Sequence, residues 1–127
     1  MEIVLIRHGQ PEWVRNGLNV DNPPLTELGR RQAAAMADYL RAEQFDEVYC
    51  SPLVRARETA APLFDVLGRT ESIDPWLEEI RNPIWNGTPE EKAEQAYREQ
   101  RQRASHARWG GLEAVSYTHL RAHETEA

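Results

Sequence analysis

Residues 3 to 6, Ile3-Val4-Leu5-Ile6, form a short unbroken apolar run dominated by β-branched side chains, and Arg7-His8-Gly9 follows it directly. Such a run predicts a strand buried on both faces, as in a parallel sheet. Residues 10–24 are polar and rich in Asn and Pro, which predicts a loop. Thr26 is placed to cap a helix, and Ala33, Met36, Ala37 and Leu40 follow at helical spacing as its buried face. A second strand is predicted over residues 45–50, ending at Ser51-Pro52, where proline suits the first turn of another helix. That helix places Ala56, Thr59, Ala60, Leu63 and Leu67 toward the core, and residues 70–73 are a short third strand candidate.

Thr88-Pro89-Glu90-Glu91 has the form of a capping box with proline at the first helical position. It predicts a helix from 89 to about 109 whose apolar stripe is weak, only Ala93, Ala96, Tyr97 and Ala104, so the helix is expected on the surface. Strands alternating with helices, without repeats or low-complexity linkers, indicate an α/β domain.

Composition narrows the possibilities. A chain of 127 residues supports one modest domain, burying about two-thirds of its unfolded surface. The formal net charge of -6 argues against nonspecific nucleic-acid binding. Cys50 is the single cysteine, which excludes an internal disulfide, and its place at a strand end suggests a buried structural thiol. No apolar run approaches the length of a membrane span, and Met1 leads straight into the first strand without a signal-peptide layout. The expectation is a cytoplasmic protein, in which Asn86-Gly87-Thr88 means a turn and not a glycan.

In open α/β sheets ligands bind just beyond the carboxyl ends of the strands. Arg7 offers there a planar fork that fits a phosphate, His8 can act as a nucleophile, and Gly9 lets the backbone approach a ligand. Taken alone, the tripeptide reads equally well as three polar residues ending a strand. Two further segments add weight: Pro24-Leu25-Thr26-Glu27-Leu28-Gly29-Arg30-Arg31-Gln32-Ala33 and Ser51-Pro52-Leu53-Val54-Arg55-Ala56-Arg57-Glu58-Thr59-Ala60. Together with Arg7-His8-Gly9 and Asn16 they resemble the histidine phosphatase superfamily, also called phosphoglycerate mutase-like, over residues 1 to about 113.

The resemblance implies a three-layer α/β/α fold with a mostly parallel sheet. It implies that His8 attacks phosphorus and forms a phosphohistidine, its other ring nitrogen oriented by a backbone carbonyl. Arg7 and Arg55 would hold the phosphoryl oxygens, with Asn16 as a further contact, and Arg57 would be structural. In Trp76-Leu77-Glu78-Glu79-Ile80 the family's Leu-x-Glu selects Glu79 as general acid, with Glu78 as runner-up. Glu58 stands where relatives commonly carry Gln, and Asn86 where they often carry Glu, which leaves the substrate open. In relatives the region 89–109 often caps the site. No metal or cofactor is implied, and the expected ligand is a small phosphorylated substrate. Oligomeric state is left open.

The end of the chain reads differently. Val115-Ser116-Tyr117-Thr118-His119-Leu120-Arg121-Ala122-His123-Glu124-Thr125 looks like a translated transposon-end sequencing adaptor. Residues 1–114 are therefore expected to be the N-terminal part of a histidine phosphatase domain, incomplete at its C-terminus, and 115–127 a non-native tail. His119 and His123 have the spacing of a helical metal pair but lack the intervening Glu and a third ligand. The second pocket histidine of the family has no counterpart before Ala114, since His106 lacks a preceding strand and a following Gly. Three readings remain: a phosphatase that is inactive in this fragment, a mutase-type phosphotransferase, and a noncatalytic phosphate-ester binding module.

Overall fold

Thr26 caps the first long helix as its sequence predicts, its hydroxyl accepting from the Gly29 amide at 3.0 Å. The computed structural model describes residues 1–81 and 85–102. Its helices are α1 (Glu27–Leu40), α2 (Val54–Val66) and α3 (Glu90–Gln102), and its paired strands are β1 (Val14–Arg15) and β2 (Leu18–Asn19). The chain divides into two compact units. A helical unit comprises Arg7–Trp13 and Asn22–Glu79, and a hairpin unit comprises Met1–Ile6, Val14–Asp21 and the described part of Ile80–Ala127.

In the helical unit α1 packs on α2. Ala33 and Ala37 are buried on α1, and Leu63 and Phe64 on α2; small side chains on one helix let the axes approach closely. Leu25, Cys50 and Leu53 complete this core. Arg55 and Thr59 are also buried, so α2 presents a polar stripe inward beside its apolar one. The first amide of α2 would lack a partner, and Asn22 Oδ1 accepts from Val54 N–H at 3.0 Å. At the other end Gly68 adopts φ 65°, Arg69 N–H donates to the Phe64 carbonyl at 2.9 Å, and Gly68 N–H donates to Asp65 at 3.1 Å. That pattern is a Schellman motif, which glycine permits without a Cβ clash.

Two glycines fix the loop that follows His8. A Cβ on Gly9 would lie 2.5 Å from the Gly29 carbonyl oxygen, and one on Gly29 would lie 2.2 Å from the Gln10 carbonyl oxygen. The loop backbone therefore rests directly on the first turn of α1. Gln10 N–H donates to Gln32 Oε1 at 2.8 Å, and Thr26 N–H donates to the Gln10 carbonyl at 2.9 Å. Pro11 forms an antiparallel bridge with Leu25.

The sheet departs from expectation. Residues 45–50 and 70–73 do come alongside in parallel, but only through the isolated bridge Cys50↔Ile73, where Cys50 N–H donates to Ser72 and Asp74 N–H to Cys50, both at 2.9 Å. The predicted first strand is not paired: Ile3, Val4, Leu5 and Ile6 carry no strand assignment and are 43–53% exposed. An apolar run becomes a buried central strand only when neighbours take its N–H and C=O groups on both edges. The described residues supply no such ladder.

The hairpin unit holds a second departure. Within the expected loop of residues 10–24, Val14 pairs with Asn19 and Arg15 with Leu18 in antiparallel register. Asn16 at φ 53° and Gly17 at φ 75° form the connecting two-residue turn, the Asn-Gly arrangement favoured in tight hairpins. Asn19 ties this hairpin to the turn at residues 85–89: its amide nitrogen donates to the Thr88 carbonyl and hydroxyl at 3.1 Å and to the Pro89 carbonyl at 3.0 Å. Asp21 N–H donates to Asn86 Oδ1 at 2.9 Å, and Arg81 pairs with Asp21. The Asn86-Gly87-Thr88 segment is a turn, as expected, with Gly87 at φ 77°.

The capping box does not form. The Thr88 hydroxyl donates to the Trp85 carbonyl at 2.6 Å and accepts from Asn19, so it is taken before the helix begins at Glu90. No residue of α3 is buried, in keeping with a surface helix. The rest of the predicted helix, and the segment 103–127 with His106, His119, His123 and the expected tail, lie outside the described residues.

Cys50 is buried, and burial, the largest cause, with the nearby Glu71 charge pushes its thiol up to about 11 from an ordinary 9.0. At pH 8 the folded protein then holds about a hundredfold less thiolate than a free cysteine. Iodoacetamide should label Cys50 far more slowly in buffer than in denaturant; equal rates would show that the thiol is accessible. A second expectation concerns Gly29. Alanine gains up to about 1 kcal/mol over glycine in a helix interior, but here its Cβ would meet a backbone oxygen that no rotamer change can move. Gly29→Ala should lower stability by about 1–3 kcal/mol, read from the urea unfolding midpoint. An unchanged or raised midpoint would contradict the close approach.

Candidate active site

The candidate site residues sit where the loop after His8 meets α2. Gly9 N–H donates to the Thr59 hydroxyl at 2.9 Å, and that hydroxyl donates to the Arg55 carbonyl one turn earlier at 2.7 Å. The buried Thr59 side chain thus links the loop to the turn of α2 that carries Arg55. Glu58 acts one residue earlier: its Oε1 accepts from Leu25 N–H at 2.7 Å, holding the entry to α1. A glutamine could make the same contact through its own carbonyl oxygen.

His8 is half-buried. Its Nδ1 lies 2.8 Å from the Gly9 carbonyl oxygen. A carbonyl only accepts, so Nδ1 carries the proton and donates. In the neutral ring the lone pair is then on Nε2. The imidazole meets the Trp13 ring edge-on, with centroids 6.4 Å apart and planes at 75°.

Arg55 is 1% exposed. Its Nη2 donates to Glu79 Oε2 at 2.7 Å, and its Cζ lies 4.8 Å from the centroid of the Trp13 ring, within cation–π range. Nε and Nη1 are buried without a hydrogen-bond partner among the described residues. Glu79 follows the 3-10 turn Pro75–Leu77, which Asp74 caps by accepting from Trp76 N–H at 3.0 Å. The Glu79 side chain is 57% exposed, so this ion pair joins a buried cation to an accessible carboxylate.

The structure therefore brings His8 and Arg55 against Trp13, with Glu79 paired to Arg55, all within the helical unit. Arg7 belongs to the same unit and is exposed, with no hydrogen bond or ion pair among the described residues. Asn16 belongs to the hairpin unit, exposed at the first position of its turn. Glu78 is exposed beside Glu79. Arg57 turns away, forming a two-pronged ion pair with Glu71 at 2.8 and 2.9 Å. The hydrogen bond and charge of each partner raise Arg57 above its ordinary value and hold Glu71 below the usual carboxylate range. Sequence reasoning missed Trp13 and the linking role of Thr59. For Trp13 a signal existed: it is the sole aromatic residue in the polar stretch 10–24.

The family description "Histidine phosphatase superfamily (branch 1)" matches residues 3–125, a span that runs beyond Ala114. Probable phosphoglycerate mutases of Yersinia pestis and Yersinia pseudotuberculosis are 34% identical over 100 residues, covering 72% of this chain and 46% of theirs. The chain spans about half the length of these curated relatives. Among solved structures, a mycobacterial glucosyl-3-phosphoglycerate phosphatase in complex with VO3 is 28% identical with a TM-score of 0.65, covering 84% of this chain and 55% of that one. A phosphoserine phosphatase from Entamoeba histolytica, in complex with 3-phosphoglyceric acid, is 28% identical with a TM-score of 0.54, covering 72% and 47%. With its His8 loop seated on α1 and its Arg55 buried in α2, this chain belongs to the histidine phosphatase superfamily and has its α/β fold.

Proposed function

We propose that the parent protein carrying residues 1–114 is a cytoplasmic, metal-independent phosphatase that hydrolyses a small phosphate monoester through a phosphohistidine on His8. The observation that supports this reading is the His8 Nδ1 bond to the Gly9 carbonyl, which leaves the lone pair of the neutral ring on Nε2. Nε2 attacks phosphorus, the ester P–O bond breaks, and the leaving oxygen takes a proton from the carboxyl of Glu79. Water then gives a proton to the Glu79 carboxylate as its oxygen attacks the phosphohistidine, and the P–N bond breaks to release inorganic phosphate and restore the imidazole and the acid. Arg55 and Arg7 hold the phosphoryl oxygens, whose charge spreads in the transition state. The Arg55–Glu79 contact supports the assignment of the acid by proximity alone: that side chain lies beside a proposed phosphoryl-binding group, and it must leave the ion pair and take up a proton before it can donate one.

A second reading is favoured by the relatives named as probable phosphoglycerate mutases: the phosphohistidine passes its phosphoryl group to another hydroxyl instead of water. A phosphorylated glycerate is the natural first substrate for both, given the neighbours named for such compounds. Release of free phosphate favours the phosphatase; an isomeric phosphoglycerate without free phosphate favours the mutase.

The acid assignment is tested in the parent protein with two leaving groups. General acid catalysis contributes about a hundredfold to ten-thousandfold when the leaving oxygen needs a proton, and little for an aryl phosphate. Glu79→Gln should therefore slow an alkyl phosphate far more than an aryl phosphate. Equal losses would remove Glu79 from this role, and a selective loss in Glu78→Gln would move the role to its neighbour.

A further inference from the structure

We infer that Trp13 is a positioning residue that sets the plane of the Arg55 guanidinium for phosphoryl binding and confines the His8 ring beside it. The inference rests on the phosphate-site reading above and adds a residue to it. A guanidinium is held in a fixed orientation when both its tilt and its rotation within its own plane are constrained. The Glu79 carboxylate constrains rotation, through one bond to Nη2 at 2.7 Å. One such bond leaves the plane free to swing about it. The Trp13 ring, 4.8 Å from Cζ, supplies the second constraint, because a cation is drawn to the ring face.

The burial of Arg55 makes that constraint matter. At 1% exposure the side chain has almost no water to solvate its charge, and its Nε and Nη1 donors have no partner among the described residues. A buried cation with unpaired donors is costly unless an anion or a ring face compensates it. Glu79 and Trp13 compensate part of the charge, and the two unpaired donors are groups that an incoming phosphoryl oxygen can satisfy. Trp13 is itself 47% exposed. A tryptophan kept there is poorly accounted for by hydrophobic burial and well accounted for by its contacts with Arg55 and His8. The edge-on meeting with His8, at 6.4 Å between centroids, limits the swing of the imidazole, which among the described residues is otherwise held by its bond to Gly9.

The test uses the 127-residue chain, labelled with nitrogen-15 in arginine and titrated with inorganic phosphate. The Arg55 Nε–H resonance, assigned through Arg55→Lys, reports the ring directly, because an aromatic face shifts a proton above it. Trp13→Phe should keep the ring-shifted signal and bind phosphate within a few-fold of wild type. Trp13→Leu, similar in apolar character but without a ring, should lose the shifted signal and weaken phosphate binding by roughly two- to thirtyfold, the range of a desolvated cation–π contact. If Trp13→Leu did not fold, fluorotryptophan incorporation would weaken the ring face without changing its shape, with the same loss expected. Unchanged phosphate affinity in Trp13→Leu or in the fluorinated protein would overturn the role of Trp13. A wild-type Arg55 signal that ignored phosphate while keeping its ring shift would sink the phosphate-site reading instead, and this role with it.

Discussion

The backbone of Gly9 lies against the backbone of Gly29 at a distance that admits no side chain on either residue. This contact fixes the loop after His8 to the first turn of α1, and the direction of the imidazole follows from it. The Gly9 amide is then placed to donate to Thr59, and its carbonyl to accept from His8 Nδ1. Thr59 passes the constraint on to the carbonyl of Arg55. Each such bond adds only about 0.5–1.5 kcal/mol to stability, but a buried group left without its partner costs about 1–3 kcal/mol. The sequence of bonds therefore acts through the alternatives it excludes.

Arg55 shows a different balance. Removing a cation from water costs several kcal/mol even after relaxation, and a salt bridge to a half-exposed carboxylate returns only part of it. Its burial in α2 is weak as a device for stability; under the proposed function the desolvated donors would serve an oxyanion without reorganisation. Arg57, two residues on, illustrates the contrast. It sits on the surface, with its Nε and Nη2 paired to Glu71.

How much of this was legible depended on whether the signal was local. Thr26, the alanines of α1 and the apolar face of α2 could be read because capping and helical periodicity lie within a few residues. Arg7-His8-Gly9 and the segment around Arg55 were legible as motifs, and Cys50 as a buried thiol. The run 3–6 was misread as a buried strand because its pattern states a preference, whereas pairing depends on neighbours far along the chain. Thr88 looked like a cap because the competing claim of Asn19, 69 residues away, is invisible locally. The Asn16-Gly17 turn was overlooked because β1 and β2 are only two residues each, too short to show alternation. Trp13 was missed because nothing in a polar loop says which cation its ring will face.

The central claim is that His8 Nε2 is the nucleophile, and it is tested most directly by trapping the covalent state. The parent protein would be mixed with a phosphate monoester, quenched in alkali, where phosphohistidine survives, and digested for mass spectrometry. The account predicts one phosphoryl group on the peptide that carries His8, attached at Nε2, and none after His8→Ala. Turnover with no phosphoryl group on that peptide, or with one on another residue, would contradict it.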